Sequence, residues 1–479
     1  MGQDRRGFLK RTGLSAGSLL LTGLTGYASQ EQLDSDIQEG LQQGKKRKQL
    51  FNMCNYSAPA IPIVRIGFIG MGNRGGWACT RIRNIKNVEI KAICDVREYP
   101  VKLHQENLKK AGWPAAAEYY GKDDSWKALC ERSDIDLVYI TTPWEYHVPM
   151  AVYAMEHGKH VAVEVPAARN LEEAWQLVTT SERTRKHCMQ LENCCYDFFE
   201  TMTIAMAQQG VLGELVHGEG AYIHTLLEGM FRKPGKDDAP QWRWEENQHN
   251  GNLYPTHGLG PVAQAMNINR GDQFSYMSSM SSDDFMMKKL ADTLAAGDDP
   301  YFKQFGNKHY RGNLNTSMIR THHGKTIMVQ HDISSPRPYS RIHALSGTKG
   351  YVQKYPEPGK VALGHEWMKE EELKQYEERY SPELIKHVAT AARTVGGHGG
   401  MDFIMDWRMI DCLRNGLPLD MDVYDAAAWS AVTPLSIWSV SHRSNSIDFP
   451  DFTGGSWKKN KPVDLSLRGG GNTIIQLSV

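Results

Sequence analysis

The sequence predicts an α/β domain with a doubly wound parallel sheet, followed by a larger α+β domain whose sheet is largely antiparallel. Three observations carry this reading. Short continuous apolar runs alternate with helical stretches from Val64 to about residue 190, the pattern of strands buried on both faces. The first run, Val64–Ile69, leads directly into Gly70-Met71-Gly72-Asn73-Arg74-Gly75. Beyond residue 190 apolar and polar residues alternate instead, between Gly and Pro punctuation, as in a sheet with one covered face.

Taken in order, residues 1–28 open with Asp4-Arg5-Arg6-Gly7-Phe8-Leu9-Lys10 and continue uncharged from Thr12 to Ser29. A paired arginine ahead of a Gly/Ser/Thr-diluted apolar stretch is the pattern of a twin-arginine export signal. It predicts the twin-arginine export machinery as a partner and a periplasmic destination. The apolar run falls short of the roughly 20 residues of a stable membrane span. Residues 29–62, rich in Gln, Asp and Lys, read as a polar linker or arm outside the core. The parallel-sheet domain follows over 63–190, with further strands predicted at Val88–Cys94, Ile135–Thr141 and 160–165 and a helix over 148–157 ending at Gly158.

Residues 191–479 form the second domain with its C-terminal tail. Alternating segments lie near 216–224, 317–322, 326–332 and 341–346. Helices and loops are expected over 281–313 and 353–395, and helices over 402–413 and 425–440, the last interrupted by Pro434. Charge balance excludes other classes. The 479 residues carry 55 Lys+Arg against 55 Asp+Glu, without the basic excess of a nucleic-acid binder. Eight cysteines are too few for a disulfide scaffold and show no zinc spacing, so no metal site is predicted.

The loop after Val64–Ile69 is a G-x-G-x-x-G that follows a strand and opens a helix, and Asp95 stands 20 residues on at the end of the second strand. Together these form the dinucleotide fingerprint of a Rossmann domain. Gly70 permits the turn, Gly72 lets backbone approach a pyrophosphate, and Gly75 lets helix and strand pack. Asp95 accepts from ribose hydroxyls and repels a 2′-phosphate, favouring NAD over NADP. Arg97, two residues later, is the one feature that leaves NADP open.

Two further motifs, Thr141-Thr142-Pro143-Trp144-Glu145-Tyr146-His147 and Glu164-Val165-Pro166, resemble the Gfo/Idh/MocA oxidoreductase superfamily, in which the second usually reads Glu-Lys-Pro. Val165 replaces that lysine and counts against an ordinary sugar dehydrogenase. A narrower resemblance spans nearly the whole mature chain. Gly213-Glu214-Leu215-Val216-His217-Gly218, Leu253-Tyr254-Pro255-Thr256-His257-Gly258, Gly396-Gly397-His398-Gly399-Gly400-Met401-Asp402 and Asp448-Phe449-Pro450-Asp451-Phe452-Thr453 look like glycoside hydrolase family 109, NAD-dependent α-N-acetylgalactosaminidases. The resemblance implies cofactor contacts from Asn73, Arg74, Asp95, Trp144, Glu145, Tyr146, His147, Glu164, Val165 and Asn193. It implies sugar contacts from Tyr222, Arg243, Tyr254, Pro255, Thr256, His257 and Tyr339.

No carboxylate pair stands out by local spacing, as an ordinary glycosidase requires. The cycle implied by the resemblance needs none. Transient oxidation at C3 acidifies the C2 proton, the aglycone is eliminated, water adds, and the hydride returns from a tightly bound, recycled NAD. His257 is the first candidate for proton transfer, because imidazole titrates near neutral pH, and Tyr254 is its rival as base. The substrate implied is a glycan ending in N-acetylgalactosamine. The alternatives are another N-acetylhexosamine, a net sugar or cyclitol dehydrogenase, and a non-catalytic NAD-containing binding protein. An open sheet face in the second domain suggests a homodimer.

Overall fold

A computed structural model describes residues 30–235, 238 and 241–477. The export-signal reading of residues 1–28 lies outside the described residues.

The first sheet has six parallel strands, β1 (Val64–Ile69), β2 (Val88–Cys94), β3 (Ala117–Tyr119), β4 (Leu137–Ile140), β5 (His160–Val163) and β6 (Cys188–Gln190), ordered β3-β2-β1-β4-β5-β6. This is the Rossmann order, with the strand sequence reversing between β1 and β4. Every residue of β4 and β5 is buried, which explains their unbroken apolar runs. In register, Ile69 lies beside Cys94 on one side and Ile140 on the other. The carboxyl ends of the strands therefore bring Gly70, Asp95, Thr141, Glu164 and Glu192 to one edge.

Of the helices around this sheet, three bear on the site. Helix α1 (Gln30–Lys46) belongs to the supposed arm, α2 (Asn73–Ile82) starts inside the glycine loop, and α3 (Leu171–Thr184) is capped by Asn170, whose side chain accepts from Glu173 N–H. The expectation of a linker outside the core is corrected here. Leu33 and Ile37 are buried in the main core, Trp175 Nε1 donates to Gly40 O at 2.9 Å, and Arg47 pairs with the fully buried Glu182. Met53 and Cys54 are buried too. The apolar stripe is only one residue wide per turn (Leu33, Ile37, Leu41), so glutamine-rich composition conceals it.

The second sheet holds β7 (Leu215–Ile223), β8 (Phe274–Ser281), β9 (Asn315–Thr321), β10 (Thr326–Asp332), β11 (Ala344–Gly347), β12 (Tyr351–Gln353), β13 (Lys360–Ala362) and β14 (Ile447–Asp448), ordered β13-β12-β11-β7-β10-β9-β8-β14. Only the β7–β10 pair is parallel. Helix α4 (Thr256–Ala265) packs on β7 and β10, and a later helix, Val432–Ser441, packs on β8. Helices α5 (Met401–Asn415) and α6 (Val423–Ser430) return to the first domain, α5 against α2, α6 against β6 and α3. The predicted 425–440 helix is two helices, α6 and α7 (Val432–Ser441), separated at Ala431. Pro434 falls in the first turn of α7, where a missing N–H costs no helical bond.

Candidate active site

The glycine loop is shaped as its sequence requires. Gly70 has φ +92°, and a Cβ on Gly75 would lie 1.9 Å from Gly70 O. A Cβ on Gly72 would meet nothing within 4 Å except Arg97 Nη2 at 3.9 Å. Gly72 thus faces open space at the N-terminus of α2, where unpaired N–H groups and the helix dipole favour a diphosphate. Buried Asp95 accepts from Met71 N–H at 2.9 Å, Arg97 N–H at 3.0 Å and Arg97 Nε at 3.2 Å. Arg97 is therefore already paired, and the acid beside the adenosine position fits NAD.

The next group joins the two domains. Arg74 donates from Nε to Glu164 Oε1 at 2.8 Å, and its Nη1 lies 3.5 Å from Asp402 Oδ2. Asn193 Nδ2 donates to Asp402 Oδ1 at 2.6 Å. Burial disfavours the Asp402 charge, yet His398, Arg81 and Arg74 together hold its carboxyl far below the usual range. One turn along α5, burial pushes Asp406 up to about 6, although Arg81 Nε and Tyr139 OH both donate to it at 2.9 Å.

The Trp144–His147 run divides by side chain. Trp144 is buried against the cleft, while Glu145 and Tyr146 are exposed. His147 is fully buried, with Nε2 2.9 Å from Thr142 O and Nδ1 2.8 Å from Pro166 O. It ties the turn after β4 to the turn after β5, and so shapes the cleft rather than lining it. Burial lowers its basicity.

On the sugar side the structure draws distant residues into one aromatic cup. Trp144 stacks on Tyr254 at 5.8 Å and meets Trp242 edge-on at 5.1 Å, with Val165 in the same apolar cluster. Tyr254 lies 4.9 Å from Tyr222 and from His257, ring to ring, and Tyr222 lies 5.3 Å from His257. Arg243 stands over Trp242 at 5.5 Å and Tyr254 at 5.8 Å. Its other neighbour, Trp244, turns away into a separate cluster against Phe305. Tyr339 closes the far rim, 6.2 Å from Tyr222, and its hydroxyl accepts from Arg341 Nη1 at 3.1 Å. Pro255 caps α4 and Thr256 is fully buried, so these two form the turn that presents Tyr254 and His257. That presentation depends on a backbone contact: a Cβ on Gly258 would lie 2.1 Å from Ala221 N, so α4 rests directly on β7 beside Tyr222.

The residue that local spacing missed is Glu192. His257 Nδ1 lies 2.7 and 2.9 Å from its two carboxylate oxygens. Burial raises the Glu192 pKa, but the His257 charge and hydrogen bond outweigh it and leave the carboxyl below its ordinary value. With Nδ1 directed at Glu192, Nε2 is left on the other edge of the ring, the arrangement of a catalytic histidine with an orienting acid. The signal was present: Glu192 follows β6 as Asp95 and Glu164 follow β2 and β5. Cys194 brings its sulfur into a group with Glu192 and His257 whose ligand atoms lie within 4.8 Å of one another, but burial keeps that thiol strongly protonated. Burial also pushes Tyr254 well above the ordinary phenol range, against the pull of Arg243, so it is a proton donor at neutral pH.

A dinucleotide cradle facing a polar aromatic cup, across a sheet-on-helix second domain, defines an NAD-binding protein of the oxidoreductase type. Residues 64–191 match the family described as Oxidoreductase family, NAD-binding Rossmann fold. Residues 196–459 match Glycosyl hydrolase 109, C-terminal domain. An alpha-N-acetylgalactosaminidase of Bacteroides fragilis is 49% identical over 407 residues, 84% of this chain and 94% of its own length. A glycosyl hydrolase family 109 protein of Shewanella putrefaciens is 44% identical over 467 residues, 96% of this chain and 98% of its own. The chain belongs to glycosyl hydrolase family 109. Among solved structures, an oxidoreductase domain protein from Kribbella flavida superposes with TM-score 0.61 at 15% identity, covering 82% of this chain and all of its own. A scyllo-inositol dehydrogenase from Lactobacillus casei with bound NAD(H) and scyllo-inositol gives 0.55 at 13%, covering 81% and 98%. These two share the fold.

Proposed function

We propose that the protein is an NAD-dependent exo-glycosidase that removes terminal α-linked N-acetylgalactosamine and recycles one tightly held NAD in each turnover. The observation that carries this reading is the His257–Glu192 pair, set beside a protonated Tyr254 in a cup continuous with the cofactor motifs. The substrate follows the name of the B. fragilis relative. The glycine loop, Asp95 and the Arg74–Glu164 pair would hold NAD, which when bound would supply reversible hydride transfer at C3 of the sugar.

The side chains do the rest. His257 Nε2 takes the C2 proton made acidic by the C3 carbonyl, and Glu192 stabilises the resulting imidazolium. Tyr254 donates to a sugar oxygen. Arg243 and Tyr339 hold hydroxyls, while Trp144 and Trp242 exclude water and stack on the ring. Val165 leaves the cofactor–sugar junction without the ammonium group of the Glu-Lys-Pro motif, which disfavours a net dehydrogenase.

The test incubates purified protein, without added NAD, with an aryl α-N-acetylgalactosaminide in deuterated water. Aglycone release with deuterium at C2 is the expected result. Stoichiometric NADH accumulation without aglycone release overturns the proposal, and faster release from another N-acetylhexosaminide reassigns the substrate.

Export by the twin-arginine route to the periplasm completes the reading, because a redox-neutral enzyme that carries its NAD needs no external supply. Outward-facing Tyr276, Met280 and Met318 on the second sheet suit a homodimer, testable by light scattering.

A further inference from the structure

Four charged side chains lie beneath the rim of the cup, and the proton transfers of the cup use none of them. Arg341 Nη2 donates to Asp197 Oδ2 at 3.0 Å and to Glu200 Oε1 at 2.6 Å. Lys354 Nζ donates to the same two acids, at 2.5 Å to Asp197 Oδ2 and 3.2 Å to Glu200 Oε2. The side chains of Arg341 and Glu200 are 2% and 0% exposed. Two cations thus face two acids. Neighbouring His343 adds no charge, because burial and the two cations lower its pKa to about 3. Taking charges out of water is costly, and well-packed apolar residues of similar volume often serve stability as well. The cluster therefore points to a task other than stability.

One donor leaves the cluster. Arg341 Nη1 donates to the Tyr339 hydroxyl oxygen at 3.1 Å. Arginine cannot accept, so the hydroxyl hydrogen of Tyr339 is turned away from the guanidinium. Tyr339 is 39% exposed and stands edge-on to Tyr222, at the rim of the cup.

The backbone is pinned at the same place. Ala221 N–H donates to Arg341 O at 2.7 Å and Ile223 N–H to Ser340 O at 3.0 Å, on either side of Tyr222. Ile342 and His343, directly after Arg341, hold φ of +59° and +45°. Left-handed backbone at two consecutive non-glycine residues persists only where the surroundings over-determine it. At the other end of the cluster, Asp197 caps the helix Phe198–Gln208 by accepting from Phe199 N–H at 3.0 Å, one short turn beyond Glu192 and Asn193. The stretch 192–200 thus bears on His257 directly and on Tyr339 through Arg341.

Resting on the reading of Tyr339 as a sugar contact, we propose that Arg341 is a positioning residue for substrate recognition. Its guanidinium holds the Tyr339 oxygen so that the phenol donates to a sugar oxygen, and Asp197, Glu200 and Lys354 hold the guanidinium in that attitude.

Arg341→Lys keeps the buried positive charge, but a lone ammonium cannot reproduce the fork that serves the acids from one nitrogen and the phenol from the other. Calorimetry measures Kd for free N-acetylgalactosamine on NAD-loaded wild type, Arg341→Lys, Tyr339→Phe and the double variant, with kcat/KM on the aryl glycoside alongside. Each single variant is expected to bind the sugar about tenfold more weakly, the scale of one hydrogen bond, and the double variant no more weakly than Tyr339→Phe. A loss of the same size in both backgrounds overturns the proposal, since a merely structural role acts whether or not the Tyr339 hydroxyl is present. Unchanged binding in either single variant overturns it too. A wild type that binds the sugar but releases no aglycone removes the glycosidase reading, and the four Kd values still decide the role of Arg341. A wild type that binds no sugar overturns both. If Arg341→Lys does not fold, Asp197→Asn is the gentler variant, because burial and Glu200 already raise that carboxyl to about 6. It is expected to weaken binding about threefold beside Tyr339 and not at all in Tyr339→Phe, and equal losses overturn the proposal.

Discussion

His257 and Tyr254 are three residues apart, within a turn of the same helix entrance, and one buried acid separates their chemistry. Glu192 commits Nδ1 of His257, whereas burial keeps Tyr254 protonated. Glu192→Gln should therefore lower kcat about 100-fold or more, the scale of losing an oriented general base, while bound NAD measured after purification stays near one per chain. His257 was legible because a Tyr-Pro-Thr-His motif marks it. Glu192 was not, because its partner lies 65 residues away and only the fold joins them. Glu246 offers a pH test on the same short helix as Arg243. Burial raises its carboxyl to about 7, so the folded chain binds a proton that the unfolded chain releases near its ordinary 4.5. Stability then falls as pH rises between those values. Glu246→Gln is expected to raise the melting temperature at pH 8 and to change it little at pH 4.

At the scale of elements, α1 is held by a narrow stripe rather than by its own propensity, since most of its residues are polar. Leu33→Ala should cost about 2–3 kcal/mol in denaturant unfolding, within the range for a truncated buried leucine. A near-zero cost would mean the helix only rests on α3. In the first sheet β1, β2, β4 and β5 were readable to within two residues, because burial forces continuous apolar runs, whereas β3 and β6, three residues each, offered no such run. In contrast, β8 reads Phe-Ser-Tyr-Met-Ser-Ser-Met-Ser and carries no such signal. Its inward residues include Ser279, which bonds Asn315 and Ser317 in place of apolar packing. Composition could not reveal a strand whose buried side mixes Phe274 and Met277 with the polar Ser279.

Across the whole molecule, the two domains share one apolar core, and charges cross between them from half-buried Arg74 and buried Arg81 to buried Asp402 and Asp406. The export proposal belongs at this scale: replacing Arg5 and Arg6 together by lysine should leave the protein in the cytoplasmic fraction, with unchanged activity per molecule. The far end of the chain is also tied to the nucleotide domain. Lys86 N–H donates to Ile474 O at 2.9 Å, Gln476 N–H to Asn84 O at 2.8 Å, and Trp407 Nε1 to Thr473 O at 3.1 Å. Residues near 475 thus seal the foot of the helix whose head cradles the diphosphate. On a ribosome, the glycine loop emerges long before residues 473–476, so the helix behind it gains this brace only late in synthesis.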